Sequence, residues 1–163
     1  MQSHESRQAR PWLICNVGQK AARVNHHFVI EPRKAVGPIR FGMSKDEVSR
    51  AFTYVYSSFF KSADSKVRAD HVEVVGLIIH YDDAALVSYI EVTPPKYSKV
   101  RLELWGADVT GISMKGAFEL FRERSPNFTR DHYGYDFPDL GLSLYSDQSL
   151  SEDDPVECIG VSR

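Results

Sequence analysis

Two acidic clusters are the first candidates for chemistry in this sequence. Asp82 and Asp83 are adjacent, and Glu152, Asp153 and Asp154 form a second run. Paired carboxylates can serve as general acid and base when burial moves their pKa values apart. Both clusters lie in stretches typical of hairpin loops, where aspartate favours turns and carboxylates stay solvated. We therefore expect these residues to form turns and to contact a basic partner, and we do not expect catalysis from them.

Six histidines raise the question of a metal site. His26 and His27 are adjacent, so in a strand they would point to opposite sides and could not readily chelate one ion together. His80 and His132 each lack a second ligand at a suitable spacing. The sequence has no phosphate-binding glycine loop, no zinc-type cysteine pair and no nucleophile elbow. We predict no metal, no cofactor and no catalytic residue.

Tyrosines are better candidates for recognition. Tyr89, Tyr133, Tyr135 and Tyr145 fall in stretches with strand character. A tyrosine combines a flat apolar ring with a polar tip, which suits a protein interface. If helices cover one face of a sheet, some of these rings must line the other face. For each single tyrosine, ordinary packing remains the alternative.

The net charge limits the classes of partner that this chain is expected to bind. The net charge is -2, whereas a nucleic-acid-binding protein normally carries a basic patch or a high pI. Residues 1–25 hold four basic side chains against Glu5, a balance of +3, so the remainder carries -5. We predict no nucleic-acid partner and a mildly acidic body that is compatible with a basic partner surface.

No apolar run is long enough to span a membrane, and the N-terminus lacks the apolar region of a signal peptide. Cys15 and Cys158 could form one disulfide, but two cysteines do not make a framework. Cys158 alternates with apolar residues, which favours a buried, reduced thiol. The sequence predicts a cytoplasmic protein without a membrane partner.

The acidic residues and tyrosines named above must be positioned by helices and strands, and the clearest signal for these elements is a capped helix start. Ser44 and Glu47 have the spacing of a capping box, in which serine and glutamate each satisfy a free backbone N–H. A stripe of apolar residues at three- and four-residue spacing then predicts a helix over residues 45–61. A second, shorter stripe predicts another helix over residues 113–124. Alternating and β-branched stretches predict strands at 28–30, 72–75, 77–81, 86–92, 100–105, 133–137, 140–145 and 156–161. Within the strand at 86–92, alternation places Leu86, Ile90 and Val92 on one face and Val87, Tyr89 and Glu91 on the other.

The two halves of the chain resemble each other in sequence. The stretch from Gly42 to Phe52 aligns without a gap on the stretch from Gly111 to Phe121, and both contain a serine at the helix start. Two later strand segments match in the same order. We predict an α+β fold of two related helix-plus-antiparallel-meander repeats, with the helices on one face of the sheet. The divisions are a mobile tail at 1–25, one repeat at 26–95 and another at 96–163.

The motif Phe41-Gly42-Met43-Ser44, preceded by a strand and present in weaker form at Gly111-Ile112-Ser113, resembles the tandem-repeat β-lactamase-inhibitor-like fold. A single unit resembles the small lipoprotein of the outer-membrane assembly machine. The stretch from Val36 to Ser44 is also similar to the opening of small bacterial immunity proteins. The second copy departs from the pattern at Gly116, where the capping glutamate is missing.

The resemblance implies a non-enzymatic, cytoplasmic immunity or inhibitor protein that occludes a toxin or an enzyme. Partner contacts would come from Asp82, Asp83, the four tyrosines and residues 152–154. A structural or assembly module that uses the same surface is one alternative. A small hydrolase or ligand-binding protein with a site between the halves is another, and a deep pocket holding His80 or His132 beside a buried carboxylate would favour it.

Overall fold

The chain folds into two β-sheets and two short helices. A computed structural model describes residues 26–93, 100–146 and 151–163. In this part of the chain 42% of residues are in strands and 15% are helical. The predicted tail at 1–25, Cys15 and the junction at 94–95 lie outside the described residues.

The strands of the first half are β1 (His26–Glu31), β2 (Ala35–Val36), β3 (Ile39–Arg40), β4 (Ser57–Phe59), β5 (Ala69–Val72), β6 (Leu77–Tyr81) and β7 (Val87–Val92). Those of the second half are β8 (Val100–Leu104), β9 (Ala107–Asp108), β10 (Thr129–Arg130), β11 (Gly134–Phe137), β12 (Leu142–Tyr145) and β13 (Cys158–Ser162). The helices are α1 (Lys45–Ala51) and α2 (Met114–Arg122), and a 3₁₀ turn spans Glu73–Val75.

Each sheet contains strands from both halves of the chain, and the halves meet at one pairing, β13 with β7 in the larger sheet and β1 with β8 in the smaller. The larger sheet has the order β10-β11-β12-β13-β7-β6-β5-β4 and is antiparallel throughout. The smaller sheet has the order β3-β2-β1-β8-β9, and β1 pairs with β8 in parallel, with His26 opposite Val100. A parallel pair needs a long connection, and here the whole first half of the described chain lies between the two strands.

The sequence-based fold class is therefore wrong. The molecule is mostly β with two large sheets, not a pair of helix-plus-meander units with helices covering one face of one sheet. One hydrophobic core contains residues from both sheets and both helices, including Ile30, Leu102, Val48, Phe121 and Ile90. Local apolar patterns identify strands but do not show which distant strand each one pairs with, so they missed the second sheet.

Helix α1 begins as predicted and ends ten residues early. Ser44 accepts a hydrogen bond from the backbone of Glu47, and the Glu47 carboxylate accepts one from the backbone of Ser44, which confirms the capping box. After Ala51 the chain becomes extended, so that Phe52 is buried whereas Val55 is 92% exposed. β-branched and aromatic residues after position 51 favour extended structure over a helix, and the chain goes on to form β4.

An extra residue in β7 changes the predicted faces of that strand. The alternation placed Val87 with Tyr89 and Glu91, but Val87 is fully buried in the core. His80 pairs with Tyr89 whereas Tyr81 pairs with Val87, so Ser88 is a bulge between the two pairs. A bulge shifts the alternation by one residue. Tyr89 and Glu91 keep their predicted common face.

A buried polar cluster joins α1 to the larger sheet. The Asp70 carboxylate is 3% exposed and accepts hydrogen bonds from Ser58 at 2.6 Å and Tyr81 at 2.7 Å. Lys45 Nζ lies 3.1 Å from the same carboxylate and above the Tyr81 ring. Burial, followed by the bond to Asp70, raises the pKa of Tyr81 well above its ordinary value. These hydrogen bonds and the ion pair offset the free-energy cost of removing the Asp70 carboxylate from water.

Arg33 links the turn between β1 and β2, in the smaller sheet, to the larger sheet at the β11–β12 turn and the end of β13. Its guanidinium donates to the carbonyl of Asp139 at 3.1 Å, to that of Pro138, and to that of Arg163 at 3.3 Å. One planar side chain with several fixed donors can bridge three carbonyls in this way. The two sheets are thereby linked at their rims as well as through the core.

Candidate binding surface on the open sheet face

The larger sheet has one face in the core, and we call its other side the open face. Ladder register places one row of side chains across this face, running from strand β10 at one edge to β4 at the other. Because side chains alternate along strands, each member of the row in strands β5 to β7 and β11 to β13 lies beside a core residue of its own strand, whereas the two edge strands β4 and β10 are exposed. The members are Thr129, Asp136, Ser143, Gly160, Glu91, Ile78, His71 and Ser57.

A charged cluster occupies the middle of the open face. His80 Nε2 and Lys61 Nζ lie 2.8 Å and 3.2 Å from the same Glu91 carboxylate oxygen. The hydrogen bond with His80, supported by that with Lys61, holds the pKa of Glu91 below its ordinary value in spite of partial burial. A carboxylate with two cationic or donor neighbours stays ionised at neutral pH.

Tyr89 leans across the sheet over Gly160. A Cβ atom at position 160 would lie 2.1 Å from the Tyr89 hydroxyl and 2.1 Å from Ser143 Oγ. Only a residue without a side chain leaves room for this approach. The Tyr89 hydroxyl lies 3.4 Å from Ser143 Oγ, and its ring contacts His80 with centroids 5.5 Å apart. Burial raises the pKa of Tyr89 well above its ordinary value.

Two pockets open on this face, one on each side of Tyr89. The first has a volume of about 330 Å³ and lies under the 61–67 segment, whose Lys61 and Lys66 line it together with His80 and Asp83. The second has a volume of about 440 Å³ and lies over β11 and β12, with Asp136, Ser143 and Tyr145 in its wall. Tyr89 lines both pockets, so a single ligand seated on this ring would reach both.

Asp82 and Asp83, in the hairpin turn between β6 and β7, have different structural roles. Asp82 accepts hydrogen bonds from the backbone N–H groups of Ala84 and Leu86, each at 3.0 Å, and so forms the turn. Asp83 is 75% exposed at its side chain and pairs with Lys66 at 2.6 Å. Asp83 lines the first pocket and is available to a partner, whereas Asp82 holds the loop.

The predicted tyrosines separate between surface and core. Tyr89 and Tyr145 lie on the open face, where Tyr145 donates to Asp136 at 3.3 Å. Tyr133 is 56% exposed, in the loop before β11. Tyr135 is only 9% exposed and packs on Phe118 of α2. Its pairing with Leu144 places it on the core side, so the structure removes it from the candidate surface.

Residues 152–154 lie beside the N-terminus of α2, away from the open face. The carbonyls of Glu152 and Asp154 accept hydrogen bonds from the backbone of Lys115 and Met114 at 2.9 Å and 2.8 Å. Their side chains and that of Asp153 are exposed. The second acidic cluster therefore completes a helix start through its backbone, and the structure does not bring it together with Tyr89 and Asp83.

Sequence reasoning missed the His80–Glu91–Lys61 cluster and the row around Ser143. One signal was present, because Tyr89 and Glu91 were assigned to one face of a hairpin strand that pairs with the strand of His80. Cross-strand neighbours in such a hairpin interact directly. Asp136 and Ser143 are cross-strand neighbours in the β11–β12 hairpin, but no local pattern shows that Tyr89 of β7 reaches Ser143 across β13.

The described residues also bear on metal sites, membrane spans and reactive thiols. Within 26–93, 100–146 and 151–163, no group of three or more histidine, cysteine, aspartate or glutamate side chains is arranged to hold a metal ion. No helix of the described ranges is long and apolar enough to cross a membrane. Cys158 is a free thiol at the edge of the open face, and burial raises its pKa.

Comparisons with known proteins inform the fold alone. No protein-family model matches the chain, and no curated protein matches its sequence significantly. The crystal structure of the uncharacterized protein YfeY from Escherichia coli is similar, with a TM-score of 0.52 and 17% sequence identity. The match covers 86% of this chain and 100% of the YfeY chain. At this identity the likeness supports a shared fold and carries no function.

Proposed function

We propose that this chain is a non-enzymatic protein-binding module and that the open face is its binding surface. The observation that carries the proposal is the placement of Tyr89 and Tyr145 on a sheet face that neither described helix covers, with a pocket on each side of Tyr89 and the 61–67 segment over the first of them. Rigid aromatic rings beside pockets are typical of the residues that contribute most to protein–protein affinity.

The specific form of the proposal is an immunity or inhibitor protein in the cytoplasm that occludes a toxin or an enzyme. Asp83 stands at the rim of the surface and carries an exposed charge, which would speed association with a basic partner. The tyrosines would supply the buried contacts once the partner has docked. Occlusion needs no chemistry from this chain, in keeping with the sequence-based prediction that it is not an enzyme.

The polar cluster favours recognition over hydrolysis. A general base works best with a pKa near the operating pH, whereas the hydrogen bonds from His80 and Lys61 hold the pKa of Glu91 below its ordinary value. Glu91 is thus arranged as a fixed anion that orients its two neighbours. The contacts among His80, Glu91 and Lys61 restrict the motion of the side chains next to Tyr89.

The proposal is tested by affinity capture of the tagged chain from its own cells, followed by identification of the bound protein. Three forms are compared: the unaltered chain, Asp83→Lys, and Asp153→Lys as the matched control. Both substitutions make the same change of charge at an exposed side chain, but only Asp83 lies by the open face. Asp82 is left unaltered because its loss would open the turn.

We expect one stoichiometric partner that is captured by the unaltered chain and by Asp153→Lys, with about 5- to 10-fold slower association for Asp83→Lys at low salt. Expression of that partner alone should inhibit growth, and co-expression of this chain should relieve the inhibition. A partner lost with Asp153→Lys and retained with Asp83→Lys would overturn the placement of the surface. A harmless partner within a stable complex would establish an assembly module instead of an inhibitor.

A second candidate function is the binding of a small ligand in the first pocket. It rests on one observation, that His80, which is paired with Glu91, lies in the wall of a pocket of about 330 Å³. A screen of charged metabolites by thermal unfolding tests it, with Glu91→Gln as the variant that removes the pair. A ligand that stabilises the unaltered chain and not Glu91→Gln would establish this function.

A further inference from the structure

The second pocket differs from the first in its charge. Lys61 and Lys66 bring positive charges to the first pocket and His80 brings an imidazole, and all three are paired with carboxylates. The second pocket is lined in part by apolar residues, Phe137, Pro138 and Leu142, and its polar groups are the Asp136 carboxylate and the hydroxyls of serine, threonine and tyrosine side chains. These groups accept hydrogen bonds and carry net negative charge, so this pocket is suited to a cation.

Strand register builds this wall from four neighbouring strands. Thr129 of β10 pairs with Asp136 of β11, Asp136 pairs with Ser143 of β12, and Ser143 pairs with Gly160 of β13. Because Gly160 has no side chain, Tyr89 can reach Ser143 from the next strand. The pocket is therefore part of the sheet itself and does not depend on a loop.

Ser143 occupies a notable position in this wall. It is 5% exposed, its hydroxyl lies 3.4 Å from the Tyr89 hydroxyl, and its hydrogen bond with Tyr145 partly offsets the rise that burial causes in the pKa of Tyr145. Each hydroxyl offers an acceptor lone pair as well as a donor. Three hydroxyls and one carboxylate thus converge on the same small volume.

Asp136 keeps its charge available. In the described part of the chain, its side-chain partner is the Tyr145 hydroxyl, and no salt bridge there includes it. Arg33 passes the rim beneath Gly141 but donates to three backbone carbonyls. The pKa of Tyr145 is raised by burial and then by the nearby charges of Asp136 and Asp131, which agrees with a negative field in the pocket.

We infer that this pocket receives an arginine side chain of the protein partner, with the guanidinium between Asp136 and the tyrosine rings. This rests on the proposed function and names the chemistry of the group that the open face recognises. A guanidinium is flat, weakly hydrated and rich in donors, so it can stack on an aromatic ring while donating to a carboxylate and to hydroxyls. An ammonium group would use only part of this wall.

The test is a titration of the folded chain, observed by backbone amide NMR, with the blocked tripeptide acetyl-Gly-Arg-Gly-amide. Two further probes have the same backbone: one with citrulline, which has nearly the shape of arginine without its charge, and one with lysine. The variants are Asp136→Asn, Ser143→Ala and the control Asp153→Asn. The control removes one exposed carboxylate from the opposite side of the molecule.

We expect weak, saturable binding of the arginine peptide, with shifts at Asp136, Ser143 and Tyr145. Citrulline and Asp136→Asn should each weaken binding about 3- to 10-fold, and Asp153→Asn should leave it unchanged. Equal binding of arginine and citrulline, or shifts that lie away from β11 and β12, would overturn the inference. So would equal effects of Asp136→Asn and Asp153→Asn.

The outcome is distinguishable from that of the proposed function. If the inference alone is wrong, the captured partner is still lost with open-face variants, but the arginine peptide does not bind. If the proposed function alone is wrong, no protein partner is captured, yet the peptide still binds at Asp136. Removal of the arginine that the partner would insert should weaken the complex to the same extent as Asp136→Asn does.

Discussion

Tyr89 and Gly160 lie so close across two neighbouring strands that a Cβ atom at position 160 would be 2.9 Å from Tyr89 Cζ and 2.1 Å from its hydroxyl. The position of the Tyr89 ring thus depends on the absence of a side chain one strand away. This relationship sets the shape of both pockets, because Tyr89 is the wall that they share.

The first prediction is that Gly160→Ala destabilises the fold and disturbs the open face. The added methyl group must displace Tyr89 or Ser143, and an extra methyl in a packed site typically costs about 1–3 kcal/mol. Urea unfolding measures the loss. In a Tyr89→Ala background the same substitution should cost less, since the ring is gone. An equal cost in both backgrounds would show that the ring is not the obstacle.

The second prediction concerns Asp70, which is buried in contact with Lys45, Ser58 and Tyr81. Asp70→Asn should lower the free energy of unfolding by about 2 kcal/mol, because the partly buried ammonium group of Lys45 would lose its counter-charge and the two hydroxyls would lose a charged acceptor. Asp83→Asn is the control. Its ion pair is shorter, at 2.6 Å, but both side chains are more than 70% exposed, so we expect a change below about 0.5 kcal/mol.

The third prediction is a dependence on pH. The hydrogen bond with His80 holds the pKa of Glu91 below its ordinary value of 4.5. The stabilisation is therefore fully present above that value and is lost as the pH falls through the lower, folded-state pKa. Because both partners touch solvent, we expect about 0.5–1 kcal/mol.

The measurement compares the unfolding free energy of the unaltered chain and Glu91→Gln from about pH 6 down to about pH 3. The difference between them should be constant at the upper end and should shrink below pH 4.5. A difference that grows toward acid would contradict the assignment of the ionised form to the folded state.

The fourth prediction tests the link between the two sheets. Arg33→Lys keeps the positive charge but cannot bridge the carbonyls of Pro138, Asp139 and Arg163 at once. We expect a loss of about 1–2 kcal/mol in unfolding free energy and faster amide exchange in the turn after Phe137. Lys34→Ala, an exposed change at the next residue, should stay within about 0.5 kcal/mol. Unchanged exchange in Arg33→Lys would show that the link is dispensable.

Several local features could be read from the sequence alone. The capping box at Ser44 and Glu47, the second serine cap at Ser113 and most strands lie where the patterns predicted them. Each of these depends on residues that are neighbours along the chain, so short-range hydrogen bonding and side-chain alternation are enough to determine them.

The errors arose where a distant contact outweighed a local preference. The helical stripe beyond Ala51 gave way to an extended segment because Phe52 packs on Phe28 and β4 pairs with β5. The bulge at Ser88 placed Val87 in the core. The β-branched and aromatic residues after position 51 agree with an extended segment, but the partners that fix it, and the pairing that creates the bulge, lie elsewhere in the chain.

The sequence by itself determined the local secondary structure of this protein: where helices start, which stretches are strands, and which acidic residues occupy turns. Only the tertiary structure decided that the strands divide between two sheets, that Tyr135 faces the core, and that Tyr89, Ser143 and Asp136 converge on one pocket. The physical reason is that strand pairing is chosen by burial of the whole apolar surface at once. The composition of each sheet face therefore depends on residues more than fifty positions apart, as Tyr89 and Ser143 are.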